Sequence, residues 1–198
     1  MLSETAVRLV YERFFAEGRN VERPWHGRRE CTSIGWPTIR WCAAWVQARV
    51  TPPHVLDLGS GLTTIVLHHL LRVGAIAELL SSDTSRQWLA KTQEELVREG
   101  LNGGRCLLQN ELERLPDLGG RFDLIVLDLG TTMDRVRRLP QITTWLAPGG
   151  LILLDDWHMQ PYRDLATVCL SGFAIQPLPE TRDEFGRFAA TATREGTT

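Results

Sequence analysis

The sequence lacks any cluster of cysteines that would bind a metal or form a disulfide framework. Its 198 residues include four cysteines, which lie far apart and form no C-x-x-C pair, and no histidine stands at the usual spacing of a zinc ligand. We interpret the four as reduced residues of the core: Cys31, Cys42, Cys106 and Cys169. A fold held together by disulfides or by a structural zinc is therefore excluded.

Long apolar runs and an excess of charge of either sign are also missing. The start of the chain, MLSETAVRLVYERFF, carries charges every few positions, which excludes a signal peptide or a membrane-spanning helix there. The formal net charge of -2 and the pI near 6.2 offer nothing that would attract a polyanion. We therefore expect a cytoplasmic protein that binds neither nucleic acid nor a membrane.

Repeats, low-complexity tracts and linkers are absent as well, so we predict a single domain over residues 1–198. The first part, residues 1–53, has the pattern of a helical N-terminal cap. Residues 2–18 and residues 38–50 carry apolar side chains at helical spacing. Residues 19–37 between them hold prolines and glycines and are predicted to be a loop.

From residue 54 onward, short apolar runs alternate with helical segments. The runs HVLDL, AIAELLSS, RCLLQ, FDLIVLD and LILLDD follow the order that βαβ units impose. Continuous runs such as LIVL and LILL are typical of buried parallel strands, whereas GFAIQPLP and GRFAATATR alternate with period two. We predict an α/β fold for residues 54–198: a doubly wound, mostly parallel, seven-stranded sheet with an antiparallel C-terminal hairpin.

The stretch HVLDLGSGLTT joins the first of these strands to the first helix and carries the main signal for a ligand. Gly59 and Gly61 leave the backbone open at the turn where such sheets bind nucleotides. The dinucleotide fingerprint G-x-G-x-x-G, however, needs a small residue where Thr64 stands. Asp57 would repel a pyrophosphate and attract a cation. S-Adenosylmethionine has a sulfonium and an ammonium group and no phosphate, so the sequence favours it over NAD.

Four motifs in series resemble the class I S-adenosylmethionine-dependent methyltransferases. VLDLGSGLTT, SSDTSRQWL, FDLIVLDLG and LAPGGLILLDD follow one another in the order and spacing of that family, over about residues 54–195. The resemblance implies a Rossmann-like fold and an enzyme that uses S-adenosylmethionine as methyl donor. It also implies transfer to a small-molecule acceptor.

The resemblance assigns cofactor contacts to the glycine turn and to the ends of the following strands. The implied cofactor-binding residues are Asp57, Gly59, Ser60, Gly61, Asp83, Asn110 and Asp128. Asp83 matches the acid that binds the ribose hydroxyls, and Asn110 matches the polar residue at the adenine edge. Asp83 could instead only cap the helix that follows it.

Acidic residues and a histidine after the fourth and fifth strands indicate the acceptor side. We expect Asp155 or His158 to be the general base, with Asp128 holding the acceptor or the donor amine. Asp128, Asp155 and Asp156 would also suit a divalent cation such as Mg²⁺, and metal-dependent O-methyltransferases carry a similar set. Because Asp155 and Asp156 are consecutive, they could share such a site only if the strand ends before them.

Missing motifs narrow the choice of acceptor. No D/N-P-P-aromatic motif follows the fourth strand and no Pro-Cys dipeptide exists, which disfavours methylation of adenine amino groups and of pyrimidine C5. We therefore expect a hydroxyl oxygen as acceptor, or a small amine. Two other readings stay open: an S-adenosylmethionine-binding partner protein without catalysis, and an NAD-type oxidoreductase.

The cap is rich in tryptophan, and two arginine-containing stretches stand out. Trp25, Trp36, Trp41 and Trp45 could pack against the sheet, form a homodimer contact or cover an apolar acceptor. We interpret Arg28, Arg29 and the arginines of DRVRRL as solvent-exposed charges, or as contacts to an acidic acceptor.

Overall fold

The computed structural model describes residues 34–196 continuously, together with residues 5, 7–9 and 12 and the backbone of residues 22–25 and 28–31. Residues 5, 7–9 and 12 are helical, and the rest of the helix predicted for residues 2–18 lies outside the described residues. Two short strands, β1 (Glu22–Trp25) and β2 (Arg28–Cys31), pair antiparallel. The prediction of a loop throughout residues 19–37 is therefore wrong, because residues 22–25 and 28–31 form two paired strands that no alternating apolar pattern predicts.

Seven further strands of the described part form one sheet. They are β3 (His54–Leu58), β4 (Glu78–Asp83), β5 (Arg105–Leu108), β6 (Phe122–Leu127), β7 (Leu146–Leu154), β8 (Phe173–Leu178) and β9 (Ala189–Arg194). Their order in the sheet is β5-β4-β3-β6-β7-β9-β8. Neighbours from β5 to β7 are parallel, whereas β9 runs antiparallel to both β7 and β8. The predicted doubly wound, mostly parallel sheet with an antiparallel C-terminal hairpin is confirmed.

Helices connect these strands. They are α1 (Trp36–Gln47), α2 (Leu62–Arg72), α3 (Arg86–Arg98), α4 (Gln109–Leu112), α5 (Thr132–Trp145) and α6 (Gln160–Cys169). Side chains fix two of the starts: Ser85 accepts a hydrogen bond from the Trp88 amide, and Thr131 accepts one from the Asp134 amide. The sequence predicts α1, α2, α3 and α5 to within three residues and misses α4 and α6.

The core consists of two apolar layers, one on each face of the sheet. Val55 of β3 packs in the layer with α1 and α2, whereas its neighbour Leu56 packs in the layer with α5 and α6. This alternation follows from the two-residue period of a strand. Burial of each large aliphatic side chain contributes roughly 1.5–3 kcal/mol to stability, so both faces hold the sheet rigid beneath the ligand-binding edge.

The side chains of three tryptophans of the cap are described, and each packs against the layer that contains α1 and α2: Trp36, Trp41 and Trp45. This favours core packing among the three roles considered for them. Cys42 is buried, and Cys42, Cys106 and Cys169 are free thiols. Among the described helices, none combines the length and the hydropathy needed to cross a membrane.

Candidate functional site

One cavity of about 350 Å³ opens at the sheet edge where β3, β4 and β6 end. It is lined by Ile34, Gly59, Ser60, Gly61, Leu62, Thr63, Asp83, Thr84, Ser85, Trp88, Asp128 and Gly130. The carboxyl ends of parallel strands meet at the same edge, where sheets of this topology bind ligands. Five of the seven predicted cofactor contacts line the cavity, and Asp57 and Asn110 do not.

The turn after β3 crosses closely over the end of β6. Gly59 has φ +118°, and a Cβ atom there would lie 2.6 Å from the carbonyl oxygen of Asp128. Only glycine combines this backbone conformation with this close approach. The turn is therefore packed directly beside the residue that begins the acceptor side.

Protein acceptors already occupy all three amides of this turn. The Gly59 amide donates to the carbonyl oxygen of Ser82 (2.9 Å). The Ser60 amide donates to Oδ2 of Asp83 (2.9 Å). The Gly61 amide donates to Oγ1 of Thr64 (3.0 Å). A phosphate-binding turn needs such amides pointing at its ligand, so this geometry fits a nucleoside ligand that brings no phosphate.

Asp57 lies beneath the turn and not in the cavity. It is 0% exposed, and its Oδ2 accepts a hydrogen bond of 2.6 Å from the Thr64 hydroxyl. Burial raises the pKa of Asp57 to about 7, against the opposing effect of the Thr64 hydrogen bond. The prediction that Asp57 repels a pyrophosphate and attracts a cation directly is therefore corrected: Asp57 holds Thr64, and Thr64 occupies the Gly61 amide.

Asp83 ends β4 and connects the glycine turn to α3. Besides the Ser60 amide, its carboxylate accepts the Ser60 hydroxyl (3.0 Å) and the Ser85 amide (2.8 Å). It lines the cavity, and the alternative that Asp83 only caps α3 is wrong, because Ser85 is the residue that caps this helix. Sequence reasoning missed Trp88 of α3, which also lines the cavity and whose indole N–H donates to the Ser60 carbonyl oxygen.

Asn110 lies in the short helix α4 and is exposed. Its neighbour Gln109 is the buried residue, and its Oε1 accepts a hydrogen bond of 3.2 Å from the Ser82 hydroxyl. Contact between Asn110 and an adenine stays a prediction that this placement does not favour.

Three carboxylates meet beside the cavity, as the sequence predicts. Asp128 follows β6, while Asp155 and Asp156 follow β7, and one oxygen of each lies within 4.8 Å of the others. The strand ends at Leu154, and Asp156 has φ +56°, a left-handed conformation that breaks the alternation of a strand. Consecutive aspartates can share one site for this reason.

Arg135 of α5 lies within this carboxylate cluster, which corrects its interpretation as solvated charge. Its side chain is 5% exposed. It donates to Oδ1 of Asp128 (2.6 Å), to Oδ2 of Asp156 (3.1 Å) and to the Leu129 carbonyl oxygen (3.2 Å). The helical spacing of DRVRRL gave no sign that one arginine of the three turns inward.

Burial and mutual charge interactions shift the pKa values of the residues in and beside the carboxylate cluster. Burial raises the pKa of Asp128 well above the usual carboxyl range; Arg135 opposes the rise, and Asp155 and Asp156 add to it. Burial, followed by the charge of Asp156, raises the pKa of Asp155 to about 6. Burial lowers the pKa of His158, whose Nδ1 lies 3.7 Å from Oδ1 of Asp156. Of the predicted catalytic residues, only Asp128 lines the cavity.

A family model described as "Methyltransferase domain" matches residues 56–157, more than half of the chain. The chain belongs to this methyltransferase family. The resemblance to class I S-adenosylmethionine-dependent methyltransferases and the prediction of S-adenosylmethionine as the family's cofactor are thereby confirmed. The matched segment runs from β3 to the residues just after β7 and contains the glycine turn, Asp83 and the carboxylate cluster.

Curated relatives of this methyltransferase domain act on different acceptors. The "Ubiquinone/menaquinone biosynthesis C-methyltransferase UbiE" of Pseudoalteromonas translucida is 27% identical over 128 residues, which is 64% of this chain and 51% of the relative. The "Ribosomal protein L11 methyltransferase" of Pseudomonas fluorescens is 27% identical over 143 residues, 72% of this chain and 47% of the relative. The chain thus spans about half the length of the curated relatives that it matches.

Solved structures with a similar fold include other methylases. A ribosomal protein L11 methylase from Lactobacillus delbrueckii subsp. bulgaricus superposes with a TM-score of 0.59 at 21% identity, over 79% of this chain and 78% of that one. A protein from Corynebacterium glutamicum gives a TM-score of 0.64 at 14% identity, over 98% and 91% of the two chains. M. jannaschii TYW2 in complex with AdoMet gives 0.54 at 12% identity, over 80% and 74%. At these identities the likeness shows the fold alone.

Proposed function

We propose that this chain transfers a methyl group from S-adenosylmethionine to a small-molecule acceptor, with a hydroxyl oxygen as the acceptor atom. The observation that carries the proposal is that one cavity has Asp83 and the glycine turn on one side and Asp128 on the other. A donor and an acceptor have to lie in one enclosed space for an in-line displacement.

The donor half of the cavity suits a nucleoside without phosphate. S-Adenosylmethionine, when bound, supplies an electrophilic methyl group on a sulfonium ion. Gly59 lets the turn lie directly against the backbone of Asp128, because a Cβ atom there would clash with the Asp128 carbonyl oxygen, so the donor half of the cavity adjoins the acceptor half. Asp83 offers carboxylate acceptors for ribose hydroxyls, and the indole of Trp88 adds an apolar wall.

On the acceptor half, we assign Asp128 to bind the acceptor hydroxyl and to take its proton. An aspartate whose pKa is raised by burial is a stronger base than an ordinary carboxylate. Asp155 and His158 lie outside the cavity lining, so their direct role as base stays a prediction. Ile34, 1% exposed, and Gly130 complete this end of the cavity.

The proposed acceptor is small because of the size and charge of the site. A cavity of about 350 Å³, which has to hold the donor as well, leaves space only for a small acceptor, and the net charge of -2 gives no overall attraction to RNA. The names of the relatives include carbon and protein acceptors. Oxygen is favoured here because a carboxylate cluster beside the cavity can take up the proton that a hydroxyl loses.

An assay of S-adenosylhomocysteine release tests the proposal. The chain is incubated with S-adenosylmethionine and panels of small phenols, alcohols and amines, and the products are identified by mass spectrometry and NMR. O-Methylated product is expected. A product methylated on carbon, or methylation of protein alone, would contradict the acceptor class. Tight binding of S-adenosylhomocysteine with no product from any class would instead favour the non-catalytic partner protein.

Two substitutions separate binding from turnover. Asp128→Asn is expected to lower kcat by about 10² to 10⁴ while S-adenosylhomocysteine still binds, because Asp128 acts on the acceptor. Asp83→Ala is expected to weaken binding of S-adenosylhomocysteine measured by calorimetry, because ribose contacts and the support of the glycine turn are lost together. Asp164→Asn on the exposed face of α6 is the control. An unchanged kcat in Asp128→Asn would overturn this map of the site.

A further inference from the structure

We propose that the guanidinium of Arg135, and not a divalent cation, is the cation that balances the charge of the three carboxylates, and that its bonds to Asp128 and Asp156 fix Asp128 against the cavity. The role in turnover rests on the proposed function, whereas the exclusion of a metal does not. Arg135 is thus a positioning residue that acts through Asp128.

The contacts of Arg135 join the segment after β6 to the segment after β7. Its guanidinium donates to Asp128 after β6 and to Asp156 after β7, and it closes on the Leu129 carbonyl oxygen between β6 and α5. A guanidinium presents its donors in a rigid, planar fork. These bonds therefore fix the relative positions of both strand ends, which a flexible lysine ammonium would do less precisely.

Arg135 binds one carboxylate oxygen of each of two aspartates of the cluster. A divalent cation takes carboxylate oxygens at about 2.0–2.6 Å, and here Oδ1 of Asp128 and Oδ2 of Asp156 already accept from the guanidinium. A guanidinium does not lose its proton to make way. Arg187, bound to Asp183 at 2.7 Å, adds a second positive charge that acts on Asp155 and Asp156. The donor set therefore does not fit a resident metal.

Burial distinguishes Arg135 from Arg137 of the same helix. Arg137, two residues further along α5, has a side chain that is 74% exposed, whereas that of Arg135 is 5% exposed. A buried arginine needs carboxylate partners, and removing one member of such a set leaves uncompensated charge. Arg135→Met, which keeps an unbranched apolar stem and removes the guanidinium, and Arg137→Met on the same helix form a matched pair.

Titration with Mn²⁺, followed by its electron paramagnetic resonance signal, tests the inference without any acceptor. We expect no Mn²⁺ binding to the native protein or to Arg137→Met. Arg135→Met frees two carboxylate oxygens and is expected to bind Mn²⁺ saturably, with an affinity at least about tenfold above the detection limit that the native protein sets. Asp156→Asn added to Arg135→Met should abolish that gain. Saturable Mn²⁺ binding to the native protein would overturn the inference even if Arg135→Met failed to fold.

Kinetics supply the second readout. Arg135→Met should lower kcat about tenfold or more while the Kd for S-adenosylhomocysteine changes little, and Arg135→Lys should recover part of kcat because it retains the cation. Native activity should survive EDTA. A kcat of Arg135→Met equal to that of the native protein in the absence of added cations would contradict the assignment. Loss of native activity in EDTA would contradict it as well. Failure of the proposed function would appear separately, as absent S-adenosylhomocysteine binding or absent methylated product in the native protein, and would leave the Mn²⁺ result unchanged.

Discussion

At the scale of single residues, the site depends on which partner each buried polar atom finds. Asp57 is the clearest case, because its carboxylate lies under the glycine turn and bonds Thr64 instead of facing the ligand. The sequence identifies an acid beside two glycines but does not show how deeply the side chain of that acid is buried. Its charge depends on pH near neutrality, since burial raises its pKa to about 7.

The raised pKa of Asp57 predicts a pH dependence of stability. Between the ordinary carboxyl pKa near 4 and pH about 7, the native state keeps a proton on Asp57 that the unfolded chain has lost. As the pH rises through this window, the unfolding free energy is therefore expected to fall, by up to about 1.4 kcal/mol for each pH unit. Asp57→Asn removes the titrating group and keeps a carbonyl oxygen for the Thr64 hydroxyl.

Urea unfolding at several pH values between 4 and 8 measures the effect. The native protein should lose more unfolding free energy across this range than Asp57→Asn, and the exposed control Asp164→Asn should behave like the native protein. Equal pH slopes in the native protein and in Asp57→Asn would show that Asp57 does not titrate in this window.

Single residues also mark the limit of sequence prediction at the site. Gly59, Gly61, Asp83 and Asp128 were identified because strand ends and glycines leave a local pattern, and they do line one cavity. Trp88 and Arg135 were missed because their roles arise from contacts across 28 and 21 residues, with Ser60 and Asp156. The periodicity of the local sequence carries no information about contacts between residues so far apart in the chain.

At the scale of elements, the β3–α2 junction decides which ligand the sheet edge accepts. Gly61 precedes α2, and the Thr64 hydroxyl from the first turn of that helix occupies its amide. The same hydroxyl donates to Asp57 of β3. One side chain therefore connects strand, turn and helix in place of the phosphate that a dinucleotide fold would bind.

Replacing Thr64 tests this junction. Thr64→Val has the same shape without the hydroxyl, so the Gly61 amide and the Asp57 carboxylate lose their shared partner. We expect the unfolding free energy to fall by about 1–3 kcal/mol and the affinity for S-adenosylhomocysteine to fall with it. Thr64→Ser keeps the hydroxyl and should remain near the native values. A Thr64→Val variant with native stability and affinity would refute the role of this hydroxyl.

The helices and strands differ in how clearly the sequence predicts them. The parallel strands and the helices α2, α3 and α5 have strong apolar patterns, and prediction and structure agree there. Helix α6 was missed because only Tyr162 and Ala166 are buried along its length, which leaves a thin apolar stripe. The β1–β2 hairpin was missed because Pro24 and the glycines around it are typical of a loop.

At the scale of the whole molecule, two apolar layers enclose a sheet whose one edge carries the site. The donor half and the acceptor half come from strand ends that lie side by side in the order β4-β3-β6-β7. Fold class and cofactor could be predicted from the sequence because they depend on periodicity and on a few strand-end residues. The identity of the acceptor depends on loops without a shared pattern.

Calorimetric titration of the native chain with S-adenosylhomocysteine and, separately, with NAD tests the central claim most directly. The claim is that a glycine turn whose amides are all occupied selects a nucleoside without phosphate. The account predicts saturable binding of S-adenosylhomocysteine and no measurable heat from NAD under the same conditions. Comparable binding of NAD, or no binding of S-adenosylhomocysteine, would contradict it.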